Sequence, residues 1–199
     1  MTSPNRAASV RARLLNKARA DGVDFQLLLT RYGLERLLYR LSVSRERDNF
    51  LLKGALLFDL WFDVPLRPTR DIDLLGFGLA EIPLLVAAFE GMCAIEVDDG
   101  MVFDAASIRA DEIRKEANYA GIRLTLTGMI DGARCPVQVD VGYGDAVTPA
   151  VSAFARITWQ ACPLICPKNM LYFGQIGSCA DTPCHVLPHP IALIHKLHA

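Results

Sequence analysis

The chain has 199 residues, 52% hydrophobic and 22% charged, with a formal net charge of -1. That length holds one domain, or one domain and part of another, and the composition supplies a sizeable core, which excludes a disordered chain. A near-neutral balance excludes any global attraction to nucleic acid, so such contact would need a local patch.

Ser3 and Pro4 read as a helix cap and first-turn proline. Val10, Leu14 and Leu15 then form a partial apolar stripe, and Gly22 ends the helix. Its basic residues Arg6, Arg11, Arg13, Lys17 and Arg19 are either a solvated face or a contact for RNA phosphates, and the solvated face is the expectation. Asp24 caps a second helix in which Leu27, Leu28, Leu34, Leu37, Leu38 and Leu41 recur at helical spacing. Phe50 to Leu52 is a short apolar run ending in Lys53-Gly54, and a helix-like run follows from Ala55 to Phe62. Pro65 and Pro68 mark a loop. Asp71 to Leu75 reads as a buried strand, and Glu81 to Cys93 as a helix with Pro83 in its first turn. Ser107–Arg114, Tyr119–Thr127 and Arg134–Val141 read as strands, with Asp131-Gly132 a hairpin signal. Helices, then strand–helix–strand, then an antiparallel meander predict an α+β domain with a mixed sheet. No apolar run approaches the roughly 18 residues that span a membrane. The N-terminus lacks the apolar core of a secretory signal. The expected location is the cytoplasm, with reduced thiols.

After about residue 150 the composition changes. Four of the six cysteines (Cys162, Cys166, Cys179, Cys184) and all four histidines lie in this tail, five prolines interrupt it, and its only acid is Asp181. It holds no sustained period of 2 or 3.6. The expected organisation is an N-terminal helical segment over 1–48, a core over 49–150, and an irregular tail over 151–199. Cys162, Cys166, Cys179 and Cys184, with His185 adjacent, also permit a zinc knuckle, at looser spacing than such sites usually show.

Three short stretches carry chemistry. On a strand, Asp71 and Asp73 point to one face while Ile72 and Leu74 point to the other. Side-by-side carboxylates repel, and a divalent cation between them relieves the repulsion. Mg²⁺ is commonly held by one or two carboxylates plus substrate phosphates. Asp-x-Asp alone is common in surface loops, but these flanks are apolar. Lys53-Gly54 lies between a short strand and a helix start, where backbone N–H groups suit a phosphate; an ordinary turn is the plainer reading. In Val137–Val141, Asp140 shares a face with Gln138. On a strand beside Asp71–Asp73 it would bring a third acid, as in metal-dependent phosphoryl or nucleotidyl transfer. Its alternative role is to meet Arg123 or Arg134 on a neighbouring strand.

These residues, in this order, resemble the AbiEii/AbiGii toxin family of nucleotidyltransferases, which have the DNA polymerase β-type fold. The matching stretches are Phe50–Phe62 (FLLKGALLFDLWF), Arg67–Phe77 (RPTRDIDLLGF) and Gln138–Asp145 (QVDVGYGD), with Phe25–Tyr32 resembling the family's N-terminal part. The resemblance implies a polymerase β-like core preceded by helices. It also implies that Asp71, Asp73 and Asp140 are the catalytic, metal-ligating acids. Lys53 and Gly54 would bind the nucleotide triphosphate, Thr69 would contact phosphate, and Arg67 and Arg70 would neutralise phosphate charge. Further implied are Mg²⁺ as cofactor, a nucleoside triphosphate substrate, an acceptor that in some members is tRNA, and a separately encoded antitoxin partner.

Family members usually continue into a helical C-terminal part that completes the site, and nothing after Val151 resembles it. The expectation is therefore a truncated or frameshifted member. Its alternative function is that of an inactive remnant that binds nucleotide or an antitoxin without catalysis.

Overall fold

The computed structural model describes residues 4–56, 69–114 and 120–144, all within the unit Met1–Gly144. The expected helix from Ala55 to Phe62 (beyond Leu56), the proline loop, Arg67 and the whole Cys/His tail with its zinc reading lie outside these residues.

Helix α1 (Pro4–Asp21) buries Val10, Leu14 and Ala18, one residue per turn along one stripe. Leu15, expected in that stripe, is only half-buried. Gly22 ends α1 at φ 66°, and the Val23 N–H donates to the Ala18 carbonyl at 3.0 Å. This closure satisfies a carbonyl the last turn would orphan, and only a left-handed residue permits it. Asp24 then caps α2 (Phe25–Val43), its side chain accepting from the Leu27 N–H at 2.9 Å.

Helix α2 is buried almost all round, including Arg36 and Arg40. Arg40 is satisfied by a segment distant in sequence. It donates to both carboxylate oxygens of Asp99, at 2.8 and 3.3 Å, and to the carbonyls of Met101 and Ile95. The Tyr32 hydroxyl donates to the Asp99 carbonyl at 2.6 Å, and burial pushes the phenol's pKa up. A buried charge is tolerable when paired and hydrogen-bonded in this way. Arg36 follows a different rule: its guanidinium lies 5.4 and 5.6 Å from the ring centres of Tyr32 and Tyr39. Its Nε and Nη2 find no acceptor, so the aromatic faces stand in for an anion.

A 3₁₀ turn leads into β1 (Phe50–Lys53). There follow β2 (Asp71–Gly76), α3 (Ile82–Cys93), β3 (Val102–Arg114), β4 (Ala120–Ile130) and β5 (Ala133–Tyr143). The strands form one sheet in the order β1-β2-β5-β4-β3. The β2–β5 pair is parallel and the other neighbours are antiparallel. The sheet is mixed, and with the helices that precede it the architecture is the expected α+β one. The β4–β5 hairpin turns through Asp131 and Gly132 at φ 46° and 75°, the double left-handed turn that Asp-Gly favours. Strand β3 begins five residues before the expected Ser107, because a register shift between Asp104 and Arg109 lets it bend and go on pairing with β4.

Helices α2 and α3 lie on one face of the sheet. A Cβ on Gly33 of α2 would land on the Cys135 sulfur and close to Val137, so the glycine sets the helix directly on β5. Phe89 of α3 packs edge-on against Phe50 of β1 at 6.1 Å between centroids. Ile72, Leu74, Ile122, Leu124, Leu126, Val137, Val139 and Val141 fill the space beneath. Strand alternation sends their polar neighbours to the opposite face.

Candidate active site

That opposite face carries the acids. On β2, Asp71 and Asp73 are half-buried between the fully buried Ile72 and Leu74. On β5, Gln138 and Asp140 are half-buried between fully buried valines. The parallel register pairs Asp71 with Gln138 and Asp73 with Asp140. The third acid therefore stands directly beside the second, about 4.8 Å away along the hydrogen-bonding direction.

The row continues in both directions. Lys53 pairs with Asp73 from β1, Arg123 pairs with Asp140 from β4, and Asp111 pairs with Arg123 from β3. The charges across the sheet run positive, negative, negative, positive, negative. Two adjacent carboxylates thus have a cationic residue on each flank, which offsets the repulsion a bare pair would suffer.

Arg123 grips Asp140 with two bonds, Nε to Oδ1 at 2.8 Å and Nη2 to Oδ2 at 2.7 Å. Gln138 Nε2 approaches the same Oδ1 at 3.4 Å. The Asp140 side chain is 14% exposed and that of Arg123 is 43% exposed. The bond to Asp140 raises the basicity of Arg123; burial acts the other way, and the charges of Asp140, Asp71 and Asp73 reinforce the rise. Of the two partners the sequence offered Asp140, the structure selects Arg123. Arg134 lies opposite Met129, and its carbonyl accepts from Gln26.

Gly54 follows β1 at φ 76°, and a Cβ there would land on the Asp73 carboxylate, with the Asp73 Cγ at 2.8 Å. The glycine therefore makes room for an acid of the site. Sequence reading assigned it only the approach of a phosphate. Thr69, two residues before Asp71, is 5% exposed, and its hydroxyl finds no hydrogen-bond partner. Arg70 is exposed at the start of β2. The structure thus brings Lys53, Gly54, Asp71, Asp73 and Asp140 to one region of one face, with Thr69 and Arg70 at the entry to β2.

The basic residues of α1 are largely engaged by acids. Arg6 meets Asp98 at 3.1 Å, Arg11 meets Asp131 at 3.4 Å and Lys17 meets Asp21 at 2.8 Å. Sequence reasoning did not find Asp111 as a member of the row, nor Asp99 as the partner of Arg40. Neither carries a local motif, and each meets its partner only through the tertiary fold.

Two carboxylates of one strand, with a third beside them, are a donor set suited to a hard divalent cation that also binds phosphate oxygens. The orphaned Thr69 hydroxyl is a ready donor for such an oxygen. Among the described residues, no three His, Cys, Asp or Glu side chains are gathered closely enough to hold a metal by themselves. In this arrangement both oxygens of Asp140 are engaged by Arg123.

No curated protein matches the chain closely enough to count as a relative. The family model described as the nucleotidyl transferase AbiEii toxin of type IV toxin–antitoxin systems matches residues 36–157, more than half of the chain, spanning β1, β2 and β5 with Asp71, Asp73 and Asp140. The chain belongs to the AbiEii family of nucleotidyltransferase toxins.

Proposed function

We propose that this chain is a Mg²⁺-dependent nucleotidyltransferase that moves a nucleoside monophosphate from a nucleoside triphosphate to an acceptor hydroxyl, with tRNA as the acceptor. The observation that carries this reading is the register of Asp73 with Asp140 on adjacent parallel strands, with Asp71 on the same face. Family membership supports the reaction class and an antitoxin partner.

Asp71 and Asp73 would hold the divalent cation, with Asp140 as third ligand or as base toward the acceptor hydroxyl. When bound, the cation supplies charge neutralisation at the α-phosphate and orients the triphosphate. Lys53, Arg67 and Arg70 bind the triphosphate as counter-charges, and the Thr69 hydroxyl donates to a phosphate oxygen. The acceptor oxygen forms a bond to the α-phosphorus, the bond to the bridging oxygen breaks, and pyrophosphate leaves with the electron pair. The acceptor's proton passes to Asp140 or to solvent. The reaction belongs in the cytoplasm, where nucleoside triphosphates and tRNA are found. No helix among the described residues is long and apolar enough to cross a membrane.

The test is transfer of α-labelled nucleotide to total tRNA, with each of the four triphosphates, by the full chain and by Asp71→Ala and Asp73→Ala. Label on RNA that needs Mg²⁺ and both acids is expected. A well-folded chain that labels nothing with any triphosphate would sink the catalytic reading and leave a remnant that binds nucleotide or antitoxin.

A further inference from the structure

Asp140 is held by a residue that has somewhere else to go. Both of its oxygens are taken by Arg123, and Gln138 adds a third contact. A cation seated at Asp71 and Asp73 that recruited Asp140 would compete with Arg123 for the electron density and orientation of those oxygens. The two acids most in need of neutralisation, Asp73 and Asp140, stand side by side in register, so some positive charge must accompany them in every state. Arg123 supplies that charge on the Asp140 side, and Lys53 flanks Asp73 on the other. It is nearly half exposed, so its side chain can turn without opening the core. One strand further, Asp111 stands opposite Arg123 on the same face and is exposed. A second acidic residue therefore stands at the neighbouring register position, across one strand from Arg123.

We propose that Arg123 is an exchangeable counter-cation: it holds Asp140 in the metal-free chain and yields it to the divalent cation, turning to Asp111. This rests on the metal-dependent reading given above. Arg123 is then a positioning residue. It keeps Asp140 oriented and neutralised until the metal arrives, and it sets a threshold that the metal must overcome.

The test is calorimetric titration of the full chain with Mn²⁺ alone, comparing the unsubstituted chain with Arg123→Gln, Arg123→Lys, Asp111→Asn and Asp73→Asn. Removing the competitor is expected to tighten Mn²⁺ binding about fivefold in Arg123→Gln, the scale of one solvent-exposed ion pair. The same variant should lower the melting temperature of the metal-free chain. Arg123→Lys keeps the charge but loses the two-pronged grip, so it should fall between the two. Asp111→Asn removes the alternative seat and should weaken binding slightly. Unchanged or weaker Mn²⁺ binding in Arg123→Gln, with the unsubstituted chain binding normally, overturns the exchange alone. If the unsubstituted chain binds Mn²⁺ no better than Asp73→Asn, the metal site itself fails and the exchange falls with it.

Discussion

Arg123 on β4 and Asp140 on β5 are joined by two hydrogen bonds, at 2.8 and 2.7 Å, one strand from the Asp71–Asp73 pair. The pair gives Asp140 a structural role, the proposed reaction gives it a chemical one, and substitution separates them. Asp140→Asn weakens the grip of Arg123 but also removes a negative charge beside Asp73. These effects oppose each other at a partly exposed site, so the melting curve should move by no more than about 1 kcal/mol. Nucleotide transfer should fall roughly 100-fold or more. A folded Asp140→Asn that keeps full transfer would remove Asp140 from the mechanism.

Gly54 and Gly132 make a matched comparison. Their φ angles are 76° and 75°, so alanine at either site carries the same backbone strain, about 1–2 kcal/mol. Only at Gly54 does the added methyl meet a neighbour, the Asp73 carboxylate; at Gly132 nothing lies within 4 Å. Gly54→Ala should therefore be the more destabilising in thermal melts. It alone should also weaken Mn²⁺ binding, because it displaces Asp73, a ligand in the proposed site. Equal effects at the two positions would mean that the contact with Asp73 carries no energy.

The two buried arginines of α2 should differ sharply in how much stability depends on their surroundings. Asp99→Ala leaves Arg40 charged and without its carboxylate inside the core, a loss of about 3–5 kcal/mol. Arg36 has two buried nitrogens without acceptors, so Arg36→Met trades cation–π contact for relief of desolvation. It should change stability by less than about 1 kcal/mol. Chemical denaturation of the two variants distinguishes them directly.

Alkaline pH should loosen the fold. Burial lifts the thiols of Cys135 and Cys93 from the ordinary 9.0 to about 11. The unfolded chain therefore releases these protons first, and it binds fewer protons than the native chain between those values. Stability is fully present below pH 9 and declines as pH rises toward 11. Melting temperatures from pH 8 to 10.5 should fall. Cys135→Ala should fall less steeply over that range, although its starting stability is lower because of the cavity it leaves. A flat profile for the unsubstituted chain would contradict the burial of these thiols.

Local chemistry made much of this site legible. Alternation in Asp71–Leu75 and Val137–Val141 is enough to place three acids on polar faces, because a strand has only two sides. The Asp131-Gly132 turn is likewise dictated by which residues tolerate left-handed backbone. The row was legible only in part: Asp140 beside the Asp71–Asp73 strand and Arg123 as one candidate partner were expected, but the full line from Lys53 to Asp111 was not. Lys53, Asp73, Asp140, Arg123 and Asp111 come together only because β5 inserts between β2 and β4, and strand order is a property of the whole sheet. The same holds for Arg40 and Asp99, 59 positions apart. Such a pair leaves no periodic trace in either segment. The length of β3 was underestimated because its bulge breaks the alternation that marks a strand.

The most direct measurement is thermal unfolding of the full chain with Mg²⁺ and each nucleoside triphosphate, set against Asp71→Ala/Asp73→Ala. A working site requires that one nucleotide raise the melting temperature only when metal and both acids are present. No rise with any nucleotide, in a chain that melts cooperatively, would contradict a nucleotide site on this face of the sheet.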